Sequence, residues 1–187
     1  MMQAVIVSGP PGSGKSTQAK RLAEKHSLTH FDTGSFLHEI PEFEKTIAEG
    51  DIIDSRKILP LVREKIFEIS KDNGIVLSGS PRTTLEAMGD SETEGIMKIL
   101  EGIYGKENIH VFKIEIPEEV SIERNSKRTD HRADDKLDVI VHRLKEYRED
   151  TMPMYEKIEE SGYNLYKIDG TPSREEVFDQ IEAQLNE

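Results

Sequence analysis

The octapeptide Gly9-Pro10-Pro11-Gly12-Ser13-Gly14-Lys15-Ser16 constrains this chain more than any other feature. It matches GxxxxGK[ST] and sits between a short apolar run, Ala4–Val7, and a helical pattern in which Ala19, Leu22 and Ala23 share one face. Glycines let the backbone turn its N–H groups toward phosphate oxygens. Lys15 adds a mobile positive charge, and Ser16 offers a hydroxyl to Mg²⁺. A Gly-rich turn ahead of a helix is the plainer reading, and the complete motif in its required context argues against it. The expectation is a nucleoside triphosphate held by Gly12, Ser13, Gly14, Lys15, Ser16 and Thr17. The loop does not say what receives the phosphate.

Further apolar runs at Thr29–Asp32, Ile75–Leu77, Val111–Ile116 and Leu165–Ile168 alternate with helical patterns, as in a parallel α/β sheet. Val5-Ile6-Val7 and Ile75-Val76-Leu77 are continuous rather than alternating, the pattern of strands buried on both faces. The predicted fold is therefore α/β: a doubly wound five-stranded parallel sheet with helices on both faces, in one domain spanning residues 1–187. Excursions are expected at 34–60 and 120–135. Leu137, Ile140, Val141, Leu144 and Tyr147 predict a helix that Pro153 kinks or ends. Ser173, followed by Glu175 and Glu176, predicts the capped start of a closing helix.

Charge narrows the partners. The 187 residues carry 25 Lys+Arg against 37 Asp+Glu, a net charge of −12. Such a balance repels nucleic acid, so none is expected, and any phosphate site must concentrate its own cations. With no cysteine, a disulfide scaffold is excluded, and a reducing cytoplasm is the simplest home. No apolar run approaches the roughly 18 residues of a membrane span, and Ala4–Val7 meets Pro10-Pro11 too soon for a signal peptide. Of the ten arginines, Arg124, Arg128, Arg132 and Arg143 fall within twenty residues. Arg124 and Arg128, four apart, share a helical face. Guanidinium forks suit the charge that spreads over a moving phosphoryl group. Nearby Glu123, Asp130, Asp134 and Asp135 offer them a plainer role, as ion pairs on a solvated face. Arg82 follows Pro81 just past the Ile75–Leu77 run, at the sheet edge where α/β proteins place ligands.

The strings GPPGSGKSTQAKRLAEKH, DTGSFLHE, GIVLSGSPRTTLEA, ERNSKR, HRADD, HRLKEYREDTMPMYE and KIDGTP occur in that order between Val5 and Leu185. In their order and spacing the chain resembles the adenylate kinase family of nucleoside monophosphate kinases. The resemblance implies a core, a segment from Thr33 and Gly34 to about Pro60 that holds the acceptor, and a lid from Arg124 to Asp135 over the donor. It is similar to the short-lid branch, with only Thr129–Ala133 as the lid loop and no structural zinc. By resemblance Lys15, Arg82, Arg132 and Arg143 are catalytic, and Arg124 and Arg128 cover ATP. Thr33, Gly34, His38, Arg82, Glu86, Arg132 and Arg143 would bind the acceptor. The implied substrates are ATP, with Mg²⁺, and a nucleoside monophosphate, AMP first. The implied enzyme is a cytoplasmic monomer with no membrane attachment.

Three residues depart from the family pattern. Ser78 stands where an Asp orients the water around Mg²⁺, and Asp32 is the candidate substitute; capping of the next helix is its plainer role. His38 replaces an Arg on the acceptor phosphate, which predicts a looser acceptor site or compensation from Arg56 or Lys57; an exposed helical residue is the plainer reading. Glu86 replaces a Gln that reads adenine. An ionised carboxylate only accepts hydrogen bonds, which favours guanine or cytosine; a Glu86 turned to solvent leaves AMP first. The acidic stretch Ser91–Tyr104 looks longer than the family's usual connection. Two other functions stay open on these departures: a P-loop kinase for another small acceptor, and a nucleotide-binding protein with weak or no phosphotransfer.

Overall fold

The computed structural model describes residues 2–127 and 136–185. Its sheet holds β1 (Ala4–Ser8), β2 (Thr29–Asp32), β3 (Ile75–Ser78), β4 (Ile109–Glu115) and β5 (Asn164–Asp169), in the order β2-β3-β1-β4-β5 with every pairing parallel. Each predicted strand is present: β2 has the predicted ends, and the ends of the others lie within two residues of the predicted ones. The continuous apolar strands serve two cores, as expected. Ala4 and Ile6 of β1 pack on one face, while Val5 and Val7 pack on the other, and all four are fully buried.

On one face lie α1 (Lys15–His26) and α10 (Arg174–Leu185), closed over Phe112, Ile114 and Ile168. The other face is covered by α4 (Ser55–Ile69), α5 (Thr84–Met88), α6 (Ile96–Tyr104) and α9 (Met152–Glu160). The stretch 91–104, which had no account from sequence, is a tight turn followed by α6. Ile96, Met97, Ile99 and Leu100 bury one face of that helix, at roughly 1.5–3 kcal/mol for each side chain. The Tyr104 hydroxyl then ties it to Ser70 Oγ at 2.6 Å.

Between β2 and α4 the chain makes α2 (Thr33–His38), a 3₁₀ turn (Pro41–Phe43) and α3 (Glu44–Glu49). After β4 come α7 (Glu118–Ser126) and α8 (Leu137–Glu146). The helix does not simply break at Pro153. It passes from α8 through a π turn, Tyr147–Thr151, into α9, where Pro153 occupies the first turn. Proline lacks an N–H, and the wide turn absorbs the missing bond at the place where a proline is tolerated. The start of α10 is capped reciprocally: the Ser173 N–H donates to Glu176 Oε2 at 3.0 Å, and the Glu176 N–H donates to Ser173 Oγ at 3.3 Å. Among the described residues no helix is long and apolar enough to cross a membrane.

Candidate active site

All strands point the same way, so their carboxyl ends share one edge, and β1 is the strand at which the winding reverses. Ligands of open α/β sheets bind at that crevice, and here it is filled by the loop after β1. Gly14 precedes α1 with no side-chain cap, so the first helical N–H groups face the loop mouth. Lys15 folds back over the loop, its Nζ 3.3 Å from the Pro10 carbonyl.

The loop is braced from behind by α7, which sequence reasoning missed. Ser121 Oγ donates to the Pro11 carbonyl at 2.6 Å, and Asn125 Nδ2 donates to the Ser121 carbonyl at 2.8 Å. Gly12 lies directly on this brace with φ of +73°, and a Cβ there would stand 2.6 Å from Asn125 Nδ2. Both the backbone angle and the contact demand glycine.

Lys15, Arg82 and Arg143 line one cleft of about 60 Å³, with Gly50 and Ile52 on its far wall. Three elements far apart in sequence thus supply three cations to one space. Arg82 is aimed by its own turn, since its Nε donates to the Gly79 carbonyl at 2.7 Å. The cleft's volume has room for a few water molecules.

Beside the loop, Asp32 collects a polar network. Its carboxylate accepts from the Ser35 N–H at 2.9 Å and from Ser78 Oγ at 3.0 Å, and the Ser16 hydroxyl also bonds to it. Ser78 has one hydroxyl proton and spends it on Asp32, so His30 Nε2, 2.9 Å away, is the donor to Ser78. Burial alone would raise the pKa of Asp32, but the Ser16, Ser35 and Ser78 hydrogen bonds outweigh it and hold the carboxyl below its ordinary value. The helix-capping role and the approach to Ser16 are therefore both real. An anionic carboxylate against a hydroxyl at the phosphate loop is a donor set of the hard-oxygen kind that Mg²⁺ takes.

The family model for adenylate kinase matches residues 7–163. Relatives named adenylate kinase include one from Thermus thermophilus, 34% identical over 98% of this chain and 97% of its own. One from Synechococcus sp. is 33% identical over 99% of this chain and 100% of its own, and one from Parvibaculum lavamentivorans is 31% identical over 97% and 91%. The chain belongs to the adenylate kinase family. It is a phosphotransferase, of the nucleoside monophosphate kinase kind.

Within this adenylate kinase fold, the other residues named from sequence have the following surroundings. Glu86 does not face solvent: it is 1% exposed. Its Oε2 accepts from the Arg82 N–H at 2.8 Å and from Ser80 Oγ at 2.9 Å, and Oε1 faces Ser55 Oγ at 3.5 Å. Burial raises its pKa despite these donors. The carboxylate folds the turn that carries Arg82, so base specificity is not assigned to it. The two cations that could compensate for His38 are each engaged in an ion pair: Arg56 binds Asp90 at 2.6 Å, and Lys57 binds Glu42 at 2.8 Å. His38 itself is exposed and is not a lining residue of the cleft. Arg124 donates to the Gly170 and Thr171 carbonyls at 2.8 and 3.1 Å, which fixes it to the turn after β5. Thr33 is 1% exposed and its Oγ1 has no protein partner among the described residues, while Gly34 lies beside Arg82. Arg128, Arg132 and the lid loop Thr129–Ala133 lie outside the described residues.

Proposed function

We propose that this enzyme transfers the γ-phosphoryl group of MgATP to a nucleoside monophosphate, with AMP as the preferred acceptor. The convergence of Lys15, Arg82 and Arg143 on the cleft beside the phosphate loop carries the proposal. The relatives' shared name, adenylate kinase, supports AMP as the acceptor.

In this reading the N–H groups of residues 12–17 and Lys15 hold the donor phosphates. Arg82 holds the acceptor phosphate, in an orientation set by the Gly79 carbonyl and by Glu86 behind its backbone. Arg143, joined by Arg132 from the lid, stabilises the equatorial oxygens of the group in flight. Arg124 and Arg128 flank the donor nucleotide, and the buried Thr33 hydroxyl with Gly34 serves the acceptor side. The acceptor phosphate is already a nucleophile, so no side chain need attack or remove a proton; catalysis is positioning and charge stabilisation. Ser16, with Asp32 through water, would hold Mg²⁺, which neutralises charge on the donor phosphates when bound. The segment 34–60 and the stretch 124–135 are the parts that close, and closure keeps water from taking the phosphoryl group. The whole chain works as one domain and as a monomer, and its lack of cysteine suits a reducing cytoplasm.

A kinetic panel with MgATP and AMP, GMP, CMP, UMP and the deoxynucleotides tests this, with ADP formation as readout. AMP-dependent turnover ahead of the other acceptors is expected. Equal or better use of GMP or CMP would overturn the assignment of AMP, and no acceptor-dependent turnover would overturn the reaction.

A further inference from the structure

Beside Arg143, α8 carries a pair of side chains to which the proposed phosphotransfer gives no role, and one of them, Glu146, also lines the cleft. His142 and Glu146 are four residues apart, hence on one helical face. Asp51, from the turn that ends α3, meets them there. Asp51 Oδ1 lies 2.6 Å from His142 Nε2, and Glu146 Oε1 lies 3.6 Å from the same nitrogen. One ligand atom from each residue fits within a 4.8 Å group.

The backbone sets this meeting up. Gly50 ends α3 with φ of +85°, and a Cβ there would stand 2.8 Å from Val139 Cγ1 and 3.0 Å from Arg143 Cγ. Only glycine lets the turn lie flat on α8 and deliver Asp51 to its face. The second oxygen of Glu146 is pinned as well, since Oε2 accepts the Ile52 N–H at 2.6 Å. That bond holds the carboxylate with Oε1 toward His142, the kind of outer support that orients a metal ligand.

We propose that Asp51, His142 and Glu146 form a transition-metal site that ties the acceptor segment to the helix carrying Arg143. One imidazole and two carboxylates suit Zn²⁺ or Co²⁺, whereas Mg²⁺ favours all-oxygen surroundings and keeps its waters. Ligands at about 2.0–2.1 Å around a tetrahedral ion stand roughly 3.3 Å from one another. The observed 2.6 and 3.6 Å separations bracket that value, so small side-chain shifts admit the ion. Three protein donors leave the fourth position to water. His142 and Asp51 are 39% and 46% exposed, so the ion enters from solvent without opening the fold. A bound ion would hold the Gly50–Ile52 wall against Arg143 and slow acceptor exchange. That consequence rests on the kinase reading; the site itself does not.

The test is a calorimetric titration of Zn²⁺ alone into the full chain, without nucleotide. One equivalent per chain is expected, with affinity lowered at least about tenfold in His142→Asn and Asp51→Asn and unchanged in His38→Asn. Co²⁺ should give a visible absorption band in the parent protein that His142→Asn abolishes. Circular dichroism checks that each variant folds; if one does not, Glu146→Gln, which still accepts the Ile52 N–H, must show the same loss. Absence of stoichiometric binding would overturn the proposal. So would binding that His142→Asn and Asp51→Asn leave untouched, since the ion would then sit elsewhere, as at Ser16 and Asp32.

Discussion

Replacing Glu86 separates a carboxylate that builds the wall of the cleft from one that selects the acceptor base. Glu86→Ala strands two donors, the Arg82 N–H and the Ser80 hydroxyl, each within 2.9 Å of Oε2. An unsatisfied buried donor costs about 1–3 kcal/mol, and removing the buried carboxylate recovers part of that. A net loss of about 1–4 kcal/mol follows, or roughly 2–16 °C in Tm for a chain of this size. Glu86→Gln keeps one acceptor oxygen for both donors and turns its amide toward Ser55, so it should fold well.

The pH dependence has a definite sign. Burial raises the Glu86 pKa above its ordinary 4.5, so the folded protein holds this proton more tightly than the unfolded chain. The stability it contributes is full below 4.5 and is lost as pH rises through the folded value. Gln does not titrate, so the Tm of Glu86→Gln relative to the parent should rise from acidic to neutral pH. Thermal melts at the two ends of that range measure it, and the nucleotide panel is run on the same samples. An unchanged Tm in Glu86→Ala, together with a switch of acceptor base in Glu86→Gln, would refute the structural role.

Asp32→Asn should preserve the cap on α2, since Asn and Asp cap alike, yet lower Mg²⁺-dependent turnover; a rate titration against free Mg²⁺ checks it, and full turnover would remove Asp32 from the metal's surroundings. Arg143→Ala should lower kcat by about 10²–10³ with the circular dichroism spectrum unchanged, and a parent-like kcat would take Arg143 out of the chemistry. Gly12→Ala forces a left-handed angle that costs about 1–2 kcal/mol and drives a methyl into Asn125; a lower Tm and weaker ATP binding are expected. Adding Asn125→Ala should restore part of the stability lost, because it removes the contact but not the backbone strain. No recovery would place the whole effect in the backbone.

The phosphate loop and the sheet were legible in the sequence because both are written in local pattern. Continuous apolar runs such as Val5-Ile6-Val7 state burial on both faces, and Gly-rich spacing before Lys15 states a loop that opens a helix. Ser173 and Glu176 likewise announced their cap within four residues. What the tertiary structure decided lies between residues distant in the chain. Ser121 reaches the Pro11 carbonyl across 110 positions, Asp51 meets His142 across 91, and Ser78 meets Asp32 across 46. No periodicity marks such pairs, because a polar side chain has the same spacing whether it faces solvent, a substrate or a buried partner. Glu86 is the clearest case: its position suggested recognition, and only the packing of α5 against the Gly79–Arg82 turn turned its carboxylate inward. Motif fixes the backbone that chemistry needs; burial and partners fix what each side chain on that backbone does.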